Sequence, residues 1–327
     1  MARLNVEELT VRIPTPEGGG YAVEKVSFEV RRGEVVCLVG ESGCGKSTTA
    51  LAIMRLLPDS VLLSGRIELE DRDLLALPEE EMCAIRGNRV SMVFQEPMTA
   101  LNPVRTIGAQ VAEPLVVHGK ATREEARIRA VELLERVGIA HAAERAGHYP
   151  HQLSGGQRQR VVIAMALACG PDFIVADEPT TALDTTVQRQ ILKLLLELVD
   201  TTGAGLVVIT HNLAVVSQIA DRVLVMYAGE IVEAGPAAGV FGDPSHPYTR
   251  GLLAALPSGR RSKRLNAIPG TVPSLSARGS GCGFANRCGF ATTRCRDRKP
   301  PLVEIGALHE ARCFHIDRVR AGGGADV

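Results

Sequence analysis

One short segment constrains the fold of this chain more than any other. The apolar run at residues 35–39 (VVCLV) leads into GESGCGKS at residues 40–47, and a helix-like stretch from Lys46 to Leu57 follows. The segment fits the pattern G-x-x-x-x-G-K-[ST] in the strand, loop and helix setting that gives this pattern its meaning. Backbone N–H groups of such a loop, with the helix N-terminus behind them, form a nest for phosphate groups. We therefore predict a nucleotide site rather than a glycine-rich turn, with Lys46 reaching the β- and γ-phosphates and Ser47 binding Mg²⁺.

The length and the charge distribution limit the other possibilities. A chain of 327 residues can form one large domain plus an appendage. Basic and acidic residues balance at 37 each, so net charge gives no argument for a nucleic-acid partner. From Pro257 onward, however, thirteen basic and five acidic residues give a net charge of +8. The first ten residues contain no apolar signal core, and no uncharged apolar run approaches the ~18 residues of a membrane span. We expect a cytosolic or peripheral protein.

The coarse pattern around the first segment is that of an α/β core carrying a helical insertion. Residues 4–11 and 22–30 alternate as half-buried strands do, and Tyr21 between them is either an adenine-stacking ring or an ordinary strand-edge tyrosine. From residue 97 to residue 149 the strands stop and the pattern becomes helical, with Thr122 and Glu125 forming a predicted capping box.

Two later segments carry further candidate residues. Ser154, Gly155 and Gly156 of LSGGQRQR stand directly before an apolar helix predicted over residues 161–169, which makes a second possible anion site at a helix N-terminus. A buried strand then ends in Asp177 and Glu178. Beside a phosphate loop, Asp177 is placed to hold nucleotide-bound Mg²⁺ through water, and Glu178 to orient or deprotonate the water that attacks the γ-phosphate. Without that loop, an exposed acidic turn would be the simpler interpretation.

These motifs together resemble the nucleotide-binding subunit of an ABC transporter. GESGCGKS, Gln95, LSGGQ, the IVADE strand, TALD and His211 follow one another in the order and spacing of that family over roughly residues 4–256. LSGGQ is far more specific to the family than the phosphate loop. The resemblance implies an α/β P-loop NTPase fold with a mixed sheet core, an antiparallel β subdomain and a helical insertion. It places an ABC ATPase domain at residues 1–256, the insertion at about 97–150, and a small Cys-containing C-terminal extension at 257–327.

The resemblance also implies roles for individual residues in a head-to-tail dimer that sandwiches two ATP molecules. The ATP-binding residues would be Gly40, Glu41, Ser42, Gly43, Cys44, Gly45, Lys46, Ser47, Thr48, Gln95 and Asp177. The catalytic residues would be Glu178, His211 and Lys46, and Mg²⁺ would be held through Ser47, Gln95 and Asp177. The signature residues Leu153, Ser154, Gly155, Gly156 and Gln157 would act on the ATP of the partner subunit, and Asp184 would lie at the dimer interface. Because the opposed signature supplies N–H groups to the phosphoryl group, catalysis would require closure of the dimer.

Flanking segments narrow the resemblance to the ATPases of bacterial oligopeptide and dipeptide importers. They are QEPMTALNPVRTIG, YPHQLSGGQRQR and HPYTRGLLAALP. This resemblance implies two transmembrane permease subunits, a second ATPase that is commonly a paralogue, an extracytoplasmic solute-binding protein, no nucleic acid, and a peripheral position at the cytoplasmic face of the cell membrane. A short permease helix would enter the helical insertion. Short peptides are the expected solute, and nickel or another small solute is the alternative. A soluble ABC ATPase acting on nucleic acid or ribosomes is a remote alternative.

Four cysteines crowd into the tail as C-x5-C-x6-C-x17-C: Cys282, Cys288, Cys295 and Cys313. Unpaired structural cysteines, disulfides, zinc and an iron–sulfur cluster are all compatible with four cysteines. A cytosolic location disfavours disulfides, and the tight C-x2-4-C pair of many zinc sites is absent. Four thiolates suit a [4Fe–4S] cluster, and Arg287, Arg294, Arg296 and Arg312 stand beside them in the sequence.

The resemblance implies the same cluster, because peptide-importer ATPases have this cysteine pattern and some bind a [4Fe–4S] cluster there. Zinc, metal-free cysteines and a scaffold for cluster assembly remain alternatives. His309 is an additional candidate ligand, for which we expect a capping or surface role. The basic charge of the tail would face either anionic lipid or solvent.

Overall fold

The computed structural model describes residues 2–15, 19–181, 183–256 and 268–321, which form two compact units. The first unit contains Val30–Glu34, Glu68–Ile209 and the first residues of the chain. The second unit contains Asn5–Glu29, Val35–Ile67 and the chain from Thr210 onward. The boundary predicted after residue 256 falls at the start of residues 257–267, outside the described residues, and it remains a prediction.

The strands and helices are numbered in chain order. The strands are β1 (Arg3–Ile13), β2 (Gly20–Arg31), β3 (Val35–Val39), β4 (Leu62–Leu69), β5 (Arg72–Asp73), β6 (Val90–Val93), β7 (Phe173–Asp177), β8 (Gly205–Thr210), β9 (Arg222–Tyr227), β10 (Glu230–Pro236), β11 (Val303–Gly306) and β12 (His309–Ala311). The α-helices are α1 (Lys46–Ile53), α2 (Glu79–Ile85), α3 (Pro97–Ala100), α4 (Ile107–Val117), α5 (Arg123–Arg136), α6 (Ala142–Arg145), α7 (Gly155–Leu167), α8 (Thr185–Thr202), α9 (Leu213–Ile219), α10 (Ala237–Gly242), α11 (Pro247–Ala254), α12 (Thr293–Asp297) and α13 (Ile316–Arg320). Short 3₁₀ helices cover Pro150–Gln152, Leu275–Ala277 and Ala285–Arg287.

The first unit is built on the parallel strands β6, β7 and β8. Strand β7 lies between the other two, with Phe173 opposite Val90 on one side and Gly205 on the other. All residues of these three strands are buried, as expected for parallel strands covered on both faces. Helix α7 packs against β6 and also contacts α4 and α5 of the helical insertion. The capping box at the start of α5 is confirmed, since the Thr122 N–H donates to Glu125 Oε2 at 2.8 Å and the Glu125 N–H to Thr122 Oγ1 at 3.3 Å.

The second unit contains a mixed sheet. Strand β3 is parallel to β9, whereas β9 and β10, β10 and β12, and β12 and β11 are antiparallel pairs. The tail therefore adds two strands to the sheet that contains the strand before the phosphate loop. Strands β2, β1 and β4 are neighbours in a second sheet. None of the described helices is long and apolar enough to cross a membrane.

Helix α7 begins earlier than the sequence analysis predicted. The apolar pattern placed the helix over residues 161–169, but it starts at Gly155, so the residues after Ser154 form its first turn. The reason is a second capping box, in which the Ser154 N–H donates to Gln157 Oε1 at 3.0 Å and the Gln157 N–H to Ser154 Oγ at 3.4 Å. The spacing S-x-x-Q is the sequence signal that would have placed this boundary.

Candidate nucleotide-binding site

The phosphate loop of the second unit connects the end of β3 to the start of α1. Two of its glycines are required by both conformation and space. Gly40 and Gly45 have φ angles of 155° and 109°, and an added Cβ would lie 2.2 Å from the Met226 carbonyl oxygen and 2.5 Å from that of Ala22, respectively. No side chain fits at either position without moving a neighbouring strand.

Lys46 lies inside this loop. Its Nζ donates to the carbonyl oxygens of Gly40 at 2.8 Å and Glu41 at 3.0 Å, and the side chain is buried. Cys44 is fully buried, with its Sγ 3.7 Å from the same Nζ. The ammonium group is thus held at the N-terminus of α1, where the predicted contact to phosphate requires a positive charge.

Residues near the end of the chain also contact the loop, and the sequence analysis did not find them. Tyr248 Oη accepts the Glu41 N–H at 2.8 Å, Arg287 forms an ion pair with the Glu41 carboxylate, and Arg278 donates to the Gly43 carbonyl oxygen. These contacts connect positions more than 200 residues apart, so no local pattern reports them. The stretch HPYTRGLLAALP contributed only to the family resemblance.

In the first unit, the acidic residues of the predicted catalytic pair have different environments. Asp177 ends β7 and is buried, whereas Glu178 has a φ of 43°, which is rare for a residue with a side chain. The Glu178 carboxylate accepts hydrogen bonds from Thr181 Oγ1 at 2.7 Å and Gln95 Nε2 at 3.4 Å. The structure thus brings Gln95 and Glu178 together and adds Thr181, which the sequence analysis did not single out. Strained backbone of this kind is concentrated at functional sites.

The predicted signature residues form the start of α7. Leu153 is buried, while Ser154 and Gly155 are exposed. An added Cβ at Gly156 would lie 2.7 Å from Val187 Cγ1, so this position is too close to α8 for a side chain. The first-turn N–H groups of a capped helix whose start is exposed can face an anion.

The remaining predicted residues lie at element ends. Asp184 caps α8 by accepting the N–H groups of Thr186 and Val187, each at 3.0 Å. His211 is an exposed residue directly after β8. Ser42 is exposed, and Ser47 and Thr48 lie partly exposed in the first turn of α1. The proposed roles of these residues in ATP binding, catalysis and dimer contact remain predictions.

Comparisons with known proteins decide the family. The ABC transporter profile matches residues 23–181, and the profile of the oligopeptide/dipeptide transporter C-terminal region matches residues 232–295. A putative peptide import ATP-binding protein of Brucella abortus is 52% identical over 97% of this chain and 98% of the relative. The chain belongs to the ATP-binding proteins of oligopeptide and dipeptide ABC transporters. Its relatives include the oligopeptide transport protein AppD of Bacillus subtilis, 50% identical over 90% of both chains, and the dipeptide transport protein DppD of Escherichia coli, 46% identical over 96% of this chain and 97% of the relative.

Solved structures agree with this membership and with the predicted fold. The ATP-binding cassette MJ0796, in a dimer bound to ADP and Pi, is 33% identical and superposes with a TM-score of 0.64 over 72% of this chain and 98% of that chain. CbiO1 from Clostridium perfringens is 30% identical and has a TM-score of 0.62 over 73% of this chain and 90% of that chain. The protein is therefore an ABC-type ATPase that uses ATP and Mg²⁺. The predicted Mg²⁺ ligands Ser47, Gln95 and Asp177 carry oxygen atoms of the kind that Mg²⁺ prefers, and their role in holding the ion remains a prediction.

The four tail cysteines are free thiols that lie within electrostatic range of one another. Burial, with a smaller contribution from the neighbouring Cys288, Cys313 and Cys295, raises the pKa of Cys282 to about 12. Burial likewise raises the pKa of Cys288, and that of Cys313 to about 11. Without a cation, the thiols of Cys282, Cys288 and Cys313 are held neutral. Among the described residues, no group of three or more His, Cys, Asp or Glu side chains is already arranged as a metal site.

Backbone N–H groups point at three of the four sulfurs. The donors are Phe284 for Cys282, Phe290 for Cys288 and, at 3.3 Å, His315 for Cys313, each two residues beyond its cysteine. Such N–H bonds favour a negatively charged sulfur, and hydrogen bonds to sulfur are among the features that tune iron–sulfur clusters. The donor set therefore fits a thiolate-bound metal, although the sulfurs do not form a completed ligand set.

Three of the four arginines that suggested a negatively charged cluster have other partners. Arg287 binds Glu41, Arg312 donates to the carbonyl oxygens of Ile231 and Pro300, and Arg294 stacks over the Phe314 ring with its guanidinium carbon 4.0 Å from the centroid.

The expectation that His309 has a capping or surface role was wrong. This side chain is buried, with Nε2 2.9 Å from Glu233 Oε1, because β12 pairs with β10 and brings the histidine over the buried carboxylate.

Proposed function

We propose that this ABC ATPase powers the import of short peptides through partner permeases in the cell membrane. The observation that carries the proposal is the identity of 46–52% over at least 90% of the chain with proteins named for peptide, oligopeptide or dipeptide import. The match of residues 232–295 to the C-terminal region of oligopeptide/dipeptide transporters supports it independently of the ATPase motifs. Nickel or another small solute, and a nucleic-acid partner, are outcomes that the experiment below would detect.

ATP hydrolysis in this proposal uses the residues that the family resemblance assigns to it. Lys46 and the N–H groups of the phosphate loop bind the β- and γ-phosphates, and Glu178 takes a proton from the attacking water while His211 holds the γ-phosphate. The exposed start of α7 faces the ATP of a second ATPase subunit, where its N–H groups stabilise charge that develops in the transition state. Asp184 lies at the contact between the two subunits. Catalysis then depends on closure of the dimer, which is how hydrolysis is coupled to the permeases.

The helical insertion is the proposed docking site for a permease. Four apolar side chains of this region, Met98, Val104, Val117 and Ile128, are each more than half exposed. Exposed apolar groups of this kind suit a short amphipathic helix of a membrane partner. We place the chain peripherally at the cytoplasmic face of the membrane, with two permease subunits, a paralogous second ATPase and an extracytoplasmic solute-binding protein.

Recovery of partners from native membranes tests this function. A tagged Glu178→Gln variant is held with ATP in gently solubilised membranes, and co-purifying proteins are identified by mass spectrometry, with Lys46→Ala as the matched variant that lacks nucleotide binding. The expected result is two multi-span permeases and a second ATPase, the latter enriched only with Glu178→Gln. The solute-binding protein of the same complex is then tested for binding of di- and oligopeptides and, separately, for binding of nickel. Recovery with ribosomes or nucleic acid would overturn the transport function and leave the ATP site intact.

We also propose that Cys282, Cys288, Cys295 and Cys313 bind a [4Fe–4S] cluster. Four thiols within electrostatic range of one another and three N–H groups directed at sulfur support this ligand set. The double replacement Cys282→Ser/Cys288→Ser should remove iron and visible absorbance from anaerobically purified protein. The matched control Cys83→Ser/Cys169→Ser, which alters cysteines outside the tail, should retain both. Zinc in place of iron, or the same iron content in both variants, would refute the cluster at these residues.

A further inference from the structure

Glu41, the second residue of the phosphate loop, is held at its N–H, its carbonyl and its carboxylate. Tyr248 Oη accepts the N–H at 2.8 Å, Lys46 Nζ donates to the carbonyl oxygen at 3.0 Å, and Arg287 contacts both carboxylate oxygens. Of these three contacts, the one with Lys46 comes from the loop itself. The other two come from positions 207 and 246 residues further along the chain, in α11 and in the tail.

The Arg287 site is built around the guanidinium group. Its two bonds to Glu41 measure 2.6 and 3.0 Å, and its other N–H groups donate to the carbonyl oxygen of Pro269 at 2.7 Å, to that of Ile268 at 3.3 Å and to Tyr227 Oη at 3.3 Å. The Arg287 side chain is 6% exposed, against 30% for Glu41. Two parallel hydrogen bonds of this kind fix the orientation of the carboxylate and also strengthen the ion pair. A lysine cannot reproduce this arrangement.

Aromatic rings keep the guanidinium group in this position. The guanidinium carbon lies 5.7 Å from the Tyr227 ring centroid and 5.9 Å from that of Phe284. The Tyr227 ring meets the rings of Tyr248 and Phe284 edge to face at 4.7 and 5.2 Å between centroids. Tyr248, which accepts the Glu41 N–H, and Arg287, which binds the Glu41 carboxylate, therefore belong to one packed cluster.

A second tail arginine holds the other side of the loop. Arg278 donates to the Gly43 carbonyl oxygen at 3.3 Å and to the carbonyl oxygens of Tyr21 and Ala22 in β2. Because the peptide group is planar and trans, fixing the Gly43 carbonyl also fixes the direction of the Cys44 N–H. That N–H donates to the Glu41 carbonyl oxygen at 3.3 Å, so both arginines act on the same short loop.

We propose that Arg287 is a positioning residue for ATP binding, which acts through Glu41 and is assisted by Arg278. A phosphate loop with glycines at positions 40, 43 and 45 loses much conformational freedom when it closes around phosphate. Fixing Glu41 and Gly43 beforehand lowers that cost, and the affinity for ATP rises accordingly. The C-terminal extension is then part of the nucleotide site. The inference rests on ATP binding by this loop, as the proposed function requires.

The test measures ATP binding and steady-state hydrolysis by the full chain carrying Arg287→Gln. Loss of the bidentate pair should raise the Kd and the KM for ATP about tenfold, the scale of one charge-assisted contact, with little change in kcat. Arg287→Lys should recover only part of the affinity. The matched control is Arg320→Gln, which removes a tail arginine that binds Ser245 at 2.9 Å and Asp243 at 3.0 Å but not the loop. Its Kd should equal that of the wild type.

Two additional measurements test the Arg287–Glu41 pair, one through the Glu41 side chain and one through a double-mutant cycle. Glu41→Gln breaks the same pair from its more exposed side, so it reports on the pair if Arg287→Gln fails to fold. In a double-mutant cycle, the combined variant should bind ATP no more weakly than Arg287→Gln alone. Wild-type affinity in Arg287→Gln or Glu41→Gln, or the same loss in Arg320→Gln, would overturn the inference. Absence of ATP binding by the wild-type chain would instead overturn the proposed function.

Discussion

At the residue scale, Glu178 is positioned by its own strained backbone and by neighbouring side chains. Its backbone has a φ of 43°, and Thr181 and Gln95 donate to one carboxylate oxygen. An ionised carboxylate held by donors is suited to orienting water and accepting a proton. The role of the carboxylate and the role of the groups that hold it can therefore be tested by separate substitutions.

Glu178→Gln should preserve ATP binding and reduce the rate of hydrolysis by at least about a hundredfold, because the amide cannot accept the proton. The measurement is phosphate release together with nucleotide binding in the same preparation. Glutamine is nearly isosteric, so unfolding should not contribute. Turnover close to that of the wild type would remove Glu178 from the role of base.

Thr181→Val should lower kcat by roughly tenfold and leave the KM for ATP unchanged, because valine keeps the shape but removes one charge-assisted hydrogen bond to Glu178. Thr181→Ser restores the hydroxyl and should restore kcat. Steady-state kinetics of the three proteins distinguish these results. A rise in KM with constant kcat would mean that Thr181 contributes to nucleotide binding rather than to positioning the base.

At the element scale, the start of α11 depends on a neutral histidine. His246 Nδ1 accepts the Tyr248 N–H at 3.1 Å and so caps the helix, and the side chain is buried. Burial lowers the pKa of His246 to about 4, which outweighs the opposing effect of Glu233. This cap matters for the nucleotide site because Tyr248, two residues later, contacts Glu41 of the phosphate loop.

The depressed pKa of His246 predicts a pH dependence of stability. Between pH 6.5 and about 4 the unfolded chain binds a proton at this residue and the folded chain does not, so the free energy of unfolding falls as the pH falls through this range. The loss is roughly 3 kcal/mol when it is complete. His246→Asn keeps a capping acceptor without the titration and should flatten the pH profile measured by urea unfolding. Equal slopes for both proteins would contradict the assignment.

At the scale of the whole molecule, the basic tail is used inside the second unit. Arg278 and Arg287 contact the phosphate loop, Lys299 forms ion pairs with Glu24 and Glu230, and Arg320 binds Asp243. The side chains of these residues face acids and carbonyls of the same unit rather than only solvent or lipid. The tail is therefore part of the folded ATPase and not a separate appendage.

A chain that ends at residue 256 should be unstable and prone to aggregation. Its buried Glu233 loses His309, and β10 loses β12 and becomes an exposed edge strand. Breaking a buried pair of this kind costs about 3 kcal/mol or more, which corresponds to a fall in Tm of roughly 10 °C. Thermal unfolding and light scattering check this. If the shortened chain is as stable and monodisperse as the full chain, the tail is a dispensable attachment.

Local sequence patterns were sufficient to predict the parts of this protein that depend on local physics. Glycines are needed where φ is positive, a lysine follows them at the helix start, and buried strands appear as continuous apolar runs, so the phosphate loop, β3 and β7 were predictable. The capping box of α5 was equally local, while that of α7 was present in the sequence but overlooked. Motif order was enough to indicate the family.

The contacts of the tail, in contrast, could be seen only in the folded chain. Arg287 and Glu41 are 246 residues apart, His309 and Glu233 are 76 apart, and neither pair has a periodic or spaced pattern that a sequence could reveal. The His309–Glu233 pair forms because β12 joins the edge of the sheet at β10. The Arg287–Glu41 pair forms because the rings of Tyr227, Tyr248 and Phe284 pack together beside the phosphate loop. The sequence places charge in the tail, but packing selects the partner of each charge.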